Sequence, residues 1–252
     1  MSAKSISWRV KLGAALLTTA LALFGVHYLV FRDFHHLAVF TVHDIAFLPV
    51  EVLIVTMILH ELLERRARQE KLHKLNMVIG AFFSEVGADL LRRIARFETG
   101  GDAATSPPGT FVVRGDWDAR RYAAARAAAA AAPWAVDAAR GDLGSLRAFL
   151  LAKRDFLLRL LENPNLLEHE SFTDALWAVF HLTEELEHRP DVTRLSRSDL
   201  AHLSGDMRRA CSALTVQWLG HLQHLKESYP YLFSLAVRRN PLDPDARVEI
   251  AD

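Results

Sequence analysis

Histidine and carboxylate side chains recur at helical spacing in the second half of the sequence: His181, Glu184, Glu185 and His188, then His202 and Asp206, then His221, His224 and Glu227. Imidazole and carboxylate together make a mixed nitrogen and oxygen ligand set for divalent transition metals. Glu185-x-x-His188 also matches the short helical motif through which ferritin-like bundles hold two ions. Those bundles need a second copy of the motif and two more glutamates, whereas the later helix here carries His221-x-x-His224-x-x-Glu227. At about 100° per residue, Phe172, Leu176, Val179, Thr183 and Leu186 form the apolar stripe of one helix. His181, Glu185 and His188 fall nearly opposite that stripe, as a solvated face would. On the next helix the stripe is Leu200, Met207, Leu214, Trp218 and Leu225. His221 lies at its edge, where a satisfied core histidine belongs, and His202, Asp206 and His224 line up on its flank. A metal site of His181, His202, Asp206 and His224 is therefore the lesser reading, and no cofactor is expected.

Asp44 and Glu51 are the second anomaly, because they interrupt an otherwise apolar run from about Leu37 to Leu63. A carboxylate inside hydrocarbon costs several kcal/mol and normally faces a protein interior or a water-filled cavity. Their spacing of seven puts both on one helix face. One reading has Glu51 protonated and hydrogen-bonded to a neighbour such as Thr18 or Thr19. The other has a ring of Glu51 side chains lining a cation or proton path in an oligomer, since two spans cannot enclose a pore alone.

Other chemistries find less support. Cys211 is the single cysteine and sits in a helical run, which excludes an intramolecular disulfide and suits a buried small hydrophobe. No serine occupies a Gly-x-Ser-x-Gly turn, and neither Gly100-Gly101 nor Gly141-Asp142-Leu143-Gly144 has the context of a phosphate loop. No segment pairs a basic face with interleaved aromatics, and the formal net charge is zero, so no nucleic-acid partner is expected. No enzyme is expected either.

The elements that position these residues follow from hydropathy and punctuation. Leu12 to Phe31 is apolar and, at about 1.5 Å per residue, long enough to span a bilayer core. It ends in the bulky His27-Tyr28-Leu29-Val30-Phe31-Arg32, which suits an uncleaved anchor better than a signal peptide. The run 37–63, with Pro49 inside it, is a second span. Lys4, Arg9 and Lys11 precede the first span, and Arg65, Arg66, Arg68, Lys71 and Lys74 follow the second. By the positive-inside rule both termini face the cytoplasm and Arg32-Asp33-Phe34-His35-His36 lies outside, in an inner (plasma) membrane.

Beyond the spans, Leu72, Leu75, Ile79, Phe82 and Val86 repeat in steps of three and four, which predicts that the second helix continues as an assembly seam. The seam passes to Leu90, Ile94 and Phe97 and stops at Thr99-Gly100-Gly101. Ser106-Pro107-Pro108-Gly109 is loop chemistry, and Phe111-Val112-Val113 belongs to the same excursion. Tyr122 to Ala132 predicts a weakly packed surface helix. Further helices are expected at about Asp142 to Glu162, Ser171 to His188 and Ser198 to Glu227, with a short one from Tyr229. The fold class is all-α: a transmembrane hairpin over 1–64, a cytoplasmic helical bundle over 65–239, and a flexible tail over 240–252.

Phe47-Leu48-Pro49-Val50-Glu51-Val52-Leu53, followed by Leu75-Asn76-Met77-Val78-Ile79-Gly80-Ala81-Phe82-Phe83-Ser84-Glu85-Val86-Gly87, resembles a group of uncharacterised bacterial two-span integral membrane proteins over most of the chain. That resemblance implies the architecture and no activity. The expected function is a membrane-anchored scaffold or signalling module whose cytoplasmic domain self-associates or docks a protein partner. The alternatives are an oligomeric cation or proton conductor lined by Asp44 and Glu51, and a membrane-attached metalloprotein.

Overall fold

The computed structural model describes residues 8–99, 110–164, 166 and 169–249. Lys4, the loop over 100–109, Asn165 and residues 250–252 lie outside the described residues. Among the described residues all regular structure is helical, and an isolated antiparallel bridge joins Glu98 to Val136. The chain divides into two compact units, Met1–Ala67 and Arg68–Asp252.

In the first unit, α1 (Trp8–Phe31) ends where Arg32 takes a left-handed φ of 50°. Asp33 Oδ1 then accepts from the His36 backbone N–H at 3.0 Å and starts α2 (Phe34–Phe82). The His27 and His36 rings stack at 6.4 Å across this turn. Both helices are long and apolar enough to cross a membrane by length and composition, and α1 buries none of its residues. Asp44 and Glu51 are exposed. Thr18 and Thr19 donate to carbonyls of their own helix, Ala14 and Ala15, at 3.0 and 2.9 Å. Each of those hydroxyls thus donates within its own helix and keeps its acceptor lone pairs.

The second unit closes around the predicted seam. Leu75, Ile79, Phe82 and Val86 are buried within the unit itself, while Leu72 is half-exposed. Most of the seam is thus consumed by the chain's own packing, and self-association would need a different face. The helix does not run on unbroken: Phe83–Gly87 is a π-helical turn, followed by α3 (Ala88–Ala95). Phe82 and Phe83 occupy that widened turn, and a Cβ on Gly87 would fall 2.5 Å from the Phe83 ring, so only glycine fits.

The remaining helices are α4 (Ala119–Ala131), α5 (Leu143–Leu161), α6 (Glu170–Glu187), α7 (Arg197–Ser228) and α8 (Pro230–Arg238). Their starts follow from capping chemistry: Asp118, Asp142 and Ser196 accept from the N–H groups of Arg121, Ser145 and Asp199 at 2.8, 2.9 and 3.1 Å. The alanine-rich α4 is mostly exposed, as expected of a surface helix, and packs against α7 through a narrow strip. Its small side chains let α7 approach until Ser212 Oγ donates to the Ala129 carbonyl at 3.2 Å, and Tyr122 and Ala129 are buried. The segment after α8 is anchored at its start, since Asn240 and Leu242 are buried and Asn240 Oδ1 accepts from the Trp218 indole at 3.2 Å.

Truncating Phe82 tests this packing. Phe82→Ala should cost about 3–5 kcal/mol in chemical denaturation of the full chain, and Leu72→Ala should stay within about 0.5 kcal/mol. Equal losses at the two positions would contradict the burial pattern.

Candidate metal centre

Helices α6 and α7 are consecutive, joined across Arg189-Pro190, and pack against each other. Each carries a histidine and a carboxylate one turn apart: His181 and Glu185 on α6, His202 and Asp206 on α7. Packing brings the four together, with one ligand atom from each lying within 4.8 Å of all the others. His181 Nε2 is 3.8 Å from Glu185 Oε1 and 3.7 Å from Asp206 Oδ1. His202 Nε2 is 3.5 Å from Glu185 Oε2 and 3.4 Å from Asp206 Oδ2. A tetrahedral ion with ligand bonds of about 2.0–2.1 Å requires ligand atoms about 3.4 Å apart. The His202 contacts lie close to that edge length and the His181 contacts are longer, and the two histidines approach different oxygens of each carboxylate.

The residues differ in exposure as the parts of a metal site do. Asp206 is 1 % exposed, and its Oδ2 is buried without a hydrogen-bond partner among the described residues. The histidines are about half exposed, and an open depression of about 510 Å³, lined by His181, Glu184, Glu185, His188, Arg189 and Asp199, leads to the cluster. Arg189 donates to Glu185 Oε2 at 2.6 Å and holds the Glu185 carboxyl below its usual range, against the opposing effect of burial. Arg209 pairs with Asp206 Oδ1. Each carboxylate thus lies beside an arginine and within 4 Å of both histidines, and Oδ2 of Asp206 is the oxygen turned to His202.

Three of the four residues singled out from sequence, His181, His202 and Asp206, meet here. His224 does not: it lies eighteen residues beyond Asp206 on α7, about 27 Å along the axis, and its Nδ1 is 3.3 Å from Asn76 Nδ2. Glu185 takes its place. Its face lies away from the apolar stripe, but α7 covers that face. The available signal was the repeat of His-x-x-x-carboxylate on two consecutive helices, which outranks the Glu-x-x-His match.

The other histidine of interest, His221, is buried among Phe83, Trp218 and Gly80. Cys211 is also buried, and burial raises its thiol pKa, which keeps it protonated and unreactive.

A family model described as "Uncharacterized protein MJ1433, C-terminal helical domain" matches residues 71–238, and "MJ1433, N-terminal helical domain" matches residues 3–63. The chain is 39% identical over 228 residues to "Uncharacterized protein MJ1433" of Methanocaldococcus jannaschii, covering 90% of each protein. That relative is archaeal, so the expected restriction to bacteria is not supported. No solved structure matches the chain.

Burial, and secondarily the charge of nearby His224, push the His221 pKa down to about 4. The folded protein therefore keeps His221 neutral while the unfolded chain protonates it near its ordinary pKa of about 6.5. The sign follows: this contribution to stability is full above about pH 6.5 and is lost as pH falls toward 4, by at most about 3 kcal/mol. His221→Gln should lack it, so the stability difference between wild type and variant in urea should narrow between pH 7 and pH 4.5. A pH-independent difference would contradict the assignment.

Proposed function

We propose that this chain, which belongs to the MJ1433 family, is a membrane-anchored helical protein that binds one first-row divalent metal ion through His181, Glu185, His202 and Asp206. The observation that carries this reading is Asp206, a carboxylate 1 % exposed whose Oδ2 has no hydrogen-bond partner among the described residues and lies 3.4 Å from His202 Nε2, with His181 and Glu185 in the same cluster. A buried charge is normally retained only where it is fully paired or coordinates a metal. Two imidazoles and two carboxylates suit zinc, manganese, iron or cobalt better than the all-oxygen sites of calcium and magnesium.

The cluster does chemistry of two kinds. Its four side chains hold the ion, and the depression on the His181 side leaves room for water or a small ligand. Arg189, fixed to Glu185 at 2.6 Å and to Asp199 at 3.5 Å, orients the glutamate from outside the ligand set. Arg209 competes with the ion for Asp206 Oδ1, so binding exchanges one cation for another at that oxygen.

Anchoring is supported by α1 and the first part of α2, whose exposed apolar side chains need a nonaqueous partner, and by the Lys and Arg residues flanking them. With both termini cytoplasmic, the metal site works at the inner surface of the plasma membrane. The scaffold function expected from sequence loses its assembly seam, because Ile79, Phe82 and Val86 are spent in the core.

Titration of metal-stripped protein with zinc or manganese in competition with a chromophoric chelator should give one equivalent bound. Asp206→Asn and His202→Ala should weaken binding by roughly a hundredfold, and Arg189→Gln by about tenfold. His224→Ala should bind as wild type does. Wild-type affinity in Asp206→Asn, or equal losses in His224→Ala, would overturn the site. For the anchor, in a Cys211→Ala background, an impermeant thiol reagent should label a cysteine at Phe34 from outside intact cells and miss one at Glu70. Labelling at Glu70 would refute the orientation.

A further inference from the structure

A cavity of about 280 Å³ lies beside the π-helical turn, lined by Gly80, Phe83, Trp218, His221, Leu225 and Leu235 among others, with Arg239 at its margin. Its walls are mostly apolar, with the exposed Ser84 and Arg239 as polar lining and His221 as the buried polar side chain. His221 is 9 % exposed, and its Nδ1 is buried with no hydrogen-bond partner among the described residues. The imidazole is held rather than free to turn away: it stacks on Phe83 with ring centroids 5.5 Å apart and 15° between planes, and Trp218 flanks it at 5.9 Å. Gly80 lies beside the ring, where a Cβ would make ordinary van der Waals contact with His221 Cε1 at 3.4 Å. The π-turn supplies the geometry, because Phe83 enters the core at the place where the helix widens, and such turns recur at functional sites.

The fit is to a small, uncharged, mostly apolar molecule with one hydrogen-bonding group. The volume is at the low end of ligand pockets and about twice that of a cavity known to take benzene. A hydroxyl serves either tautomer of a neutral imidazole, because it both donates and accepts. The flanking Phe83 and Trp218 rings favour an aromatic body. We propose that this cavity is a binding site for a small aromatic alcohol, with its hydroxyl on His221 and its ring against the edge of the Phe83 and Trp218 pair, whose own centroids are 5.2 Å apart.

The test uses the full chain labelled with 15N-histidine, dialysed to equilibrium against phenol or benzene so that the free concentration is fixed by the buffer. Phenol should move the His221 ring-nitrogen resonances saturably and bind at least fivefold more tightly than benzene. His221→Phe, which keeps the aromatic stack, should retain benzene binding within about twofold and lose the preference for phenol. Ala236→Phe, which adds bulk at the cavity wall, should abolish both while unfolding at the wild-type temperature. No saturable shift with phenol, a phenol preference that survives in His221→Phe, or binding undisturbed by Ala236→Phe would each overturn the site.

Discussion

A carboxylate cannot stay charged inside a helical core without compensation, and Asp206 sets that constraint for the second unit. It is 1 % exposed on α7, a helix whose other buried residues are mostly apolar. Leaving such a charge unpaired costs about 3–5 kcal/mol. The surroundings answer in layers: Arg209 one turn on, His202 one turn back, and His181 across the helix interface. Glu185 adds a second negative charge, which would repel the first unless a cation or protonated histidines stood between them, and Arg189 restrains it from the far side. Under the proposed function, a divalent ion would satisfy all four side chains at once.

The rest of the unit is arranged so that α7 can carry this load. It runs from Arg197 to Ser228, with α4 and α6 packed along it and α8 folded back on its end. One end of the helix holds the charged cluster. The other, some twenty residues on, holds the uncharged cavity around His221, enclosed by the π-turn and α8. The same residue type thus serves opposite purposes on one helix. His202, half exposed beside two carboxylates, is available to an ion; His221, buried among rings with its pKa depressed, is kept neutral.

Two helix starts were readable to within a residue, since those expected at about Asp142 and Ser198 fall at Leu143 and Arg197, where Asp142 and Ser196 cap them by local chemistry. The seam was readable too, as a period of three and four, but periodicity says that a face is buried and not by what. That is why Ile79 and Phe82 read as assembly residues and turn out to be the chain's own core. Glu185 was missed for the complementary reason. A polar face opposite an apolar stripe reads as solvated until another helix covers it, and the covering by α7 is tertiary. His221 was legible as a core histidine, whereas the cavity beside it depends on a π-turn that follows from no pattern in Phe83-Ser84-Glu85-Val86-Gly87. The start of the tail was misjudged because Pro241 and Pro244 signal an end of helix, while the hydrogen bond between Asn240 and Trp218 that anchors it joins residues 22 apart.

In the proposed function, one metal ion is held by two histidines and two carboxylates between α6 and α7. The most direct measurement is an anomalous difference map from crystals of the full chain grown with zinc, collected on either side of the zinc absorption edge. The account predicts one strong peak, about 2.0–2.2 Å from His181 Nε2, His202 Nε2, Glu185 and Asp206. A map without a peak there, with Arg189 and Arg209 still closing the two carboxylates, would show that the cluster is an ion-pair network and contradict the account.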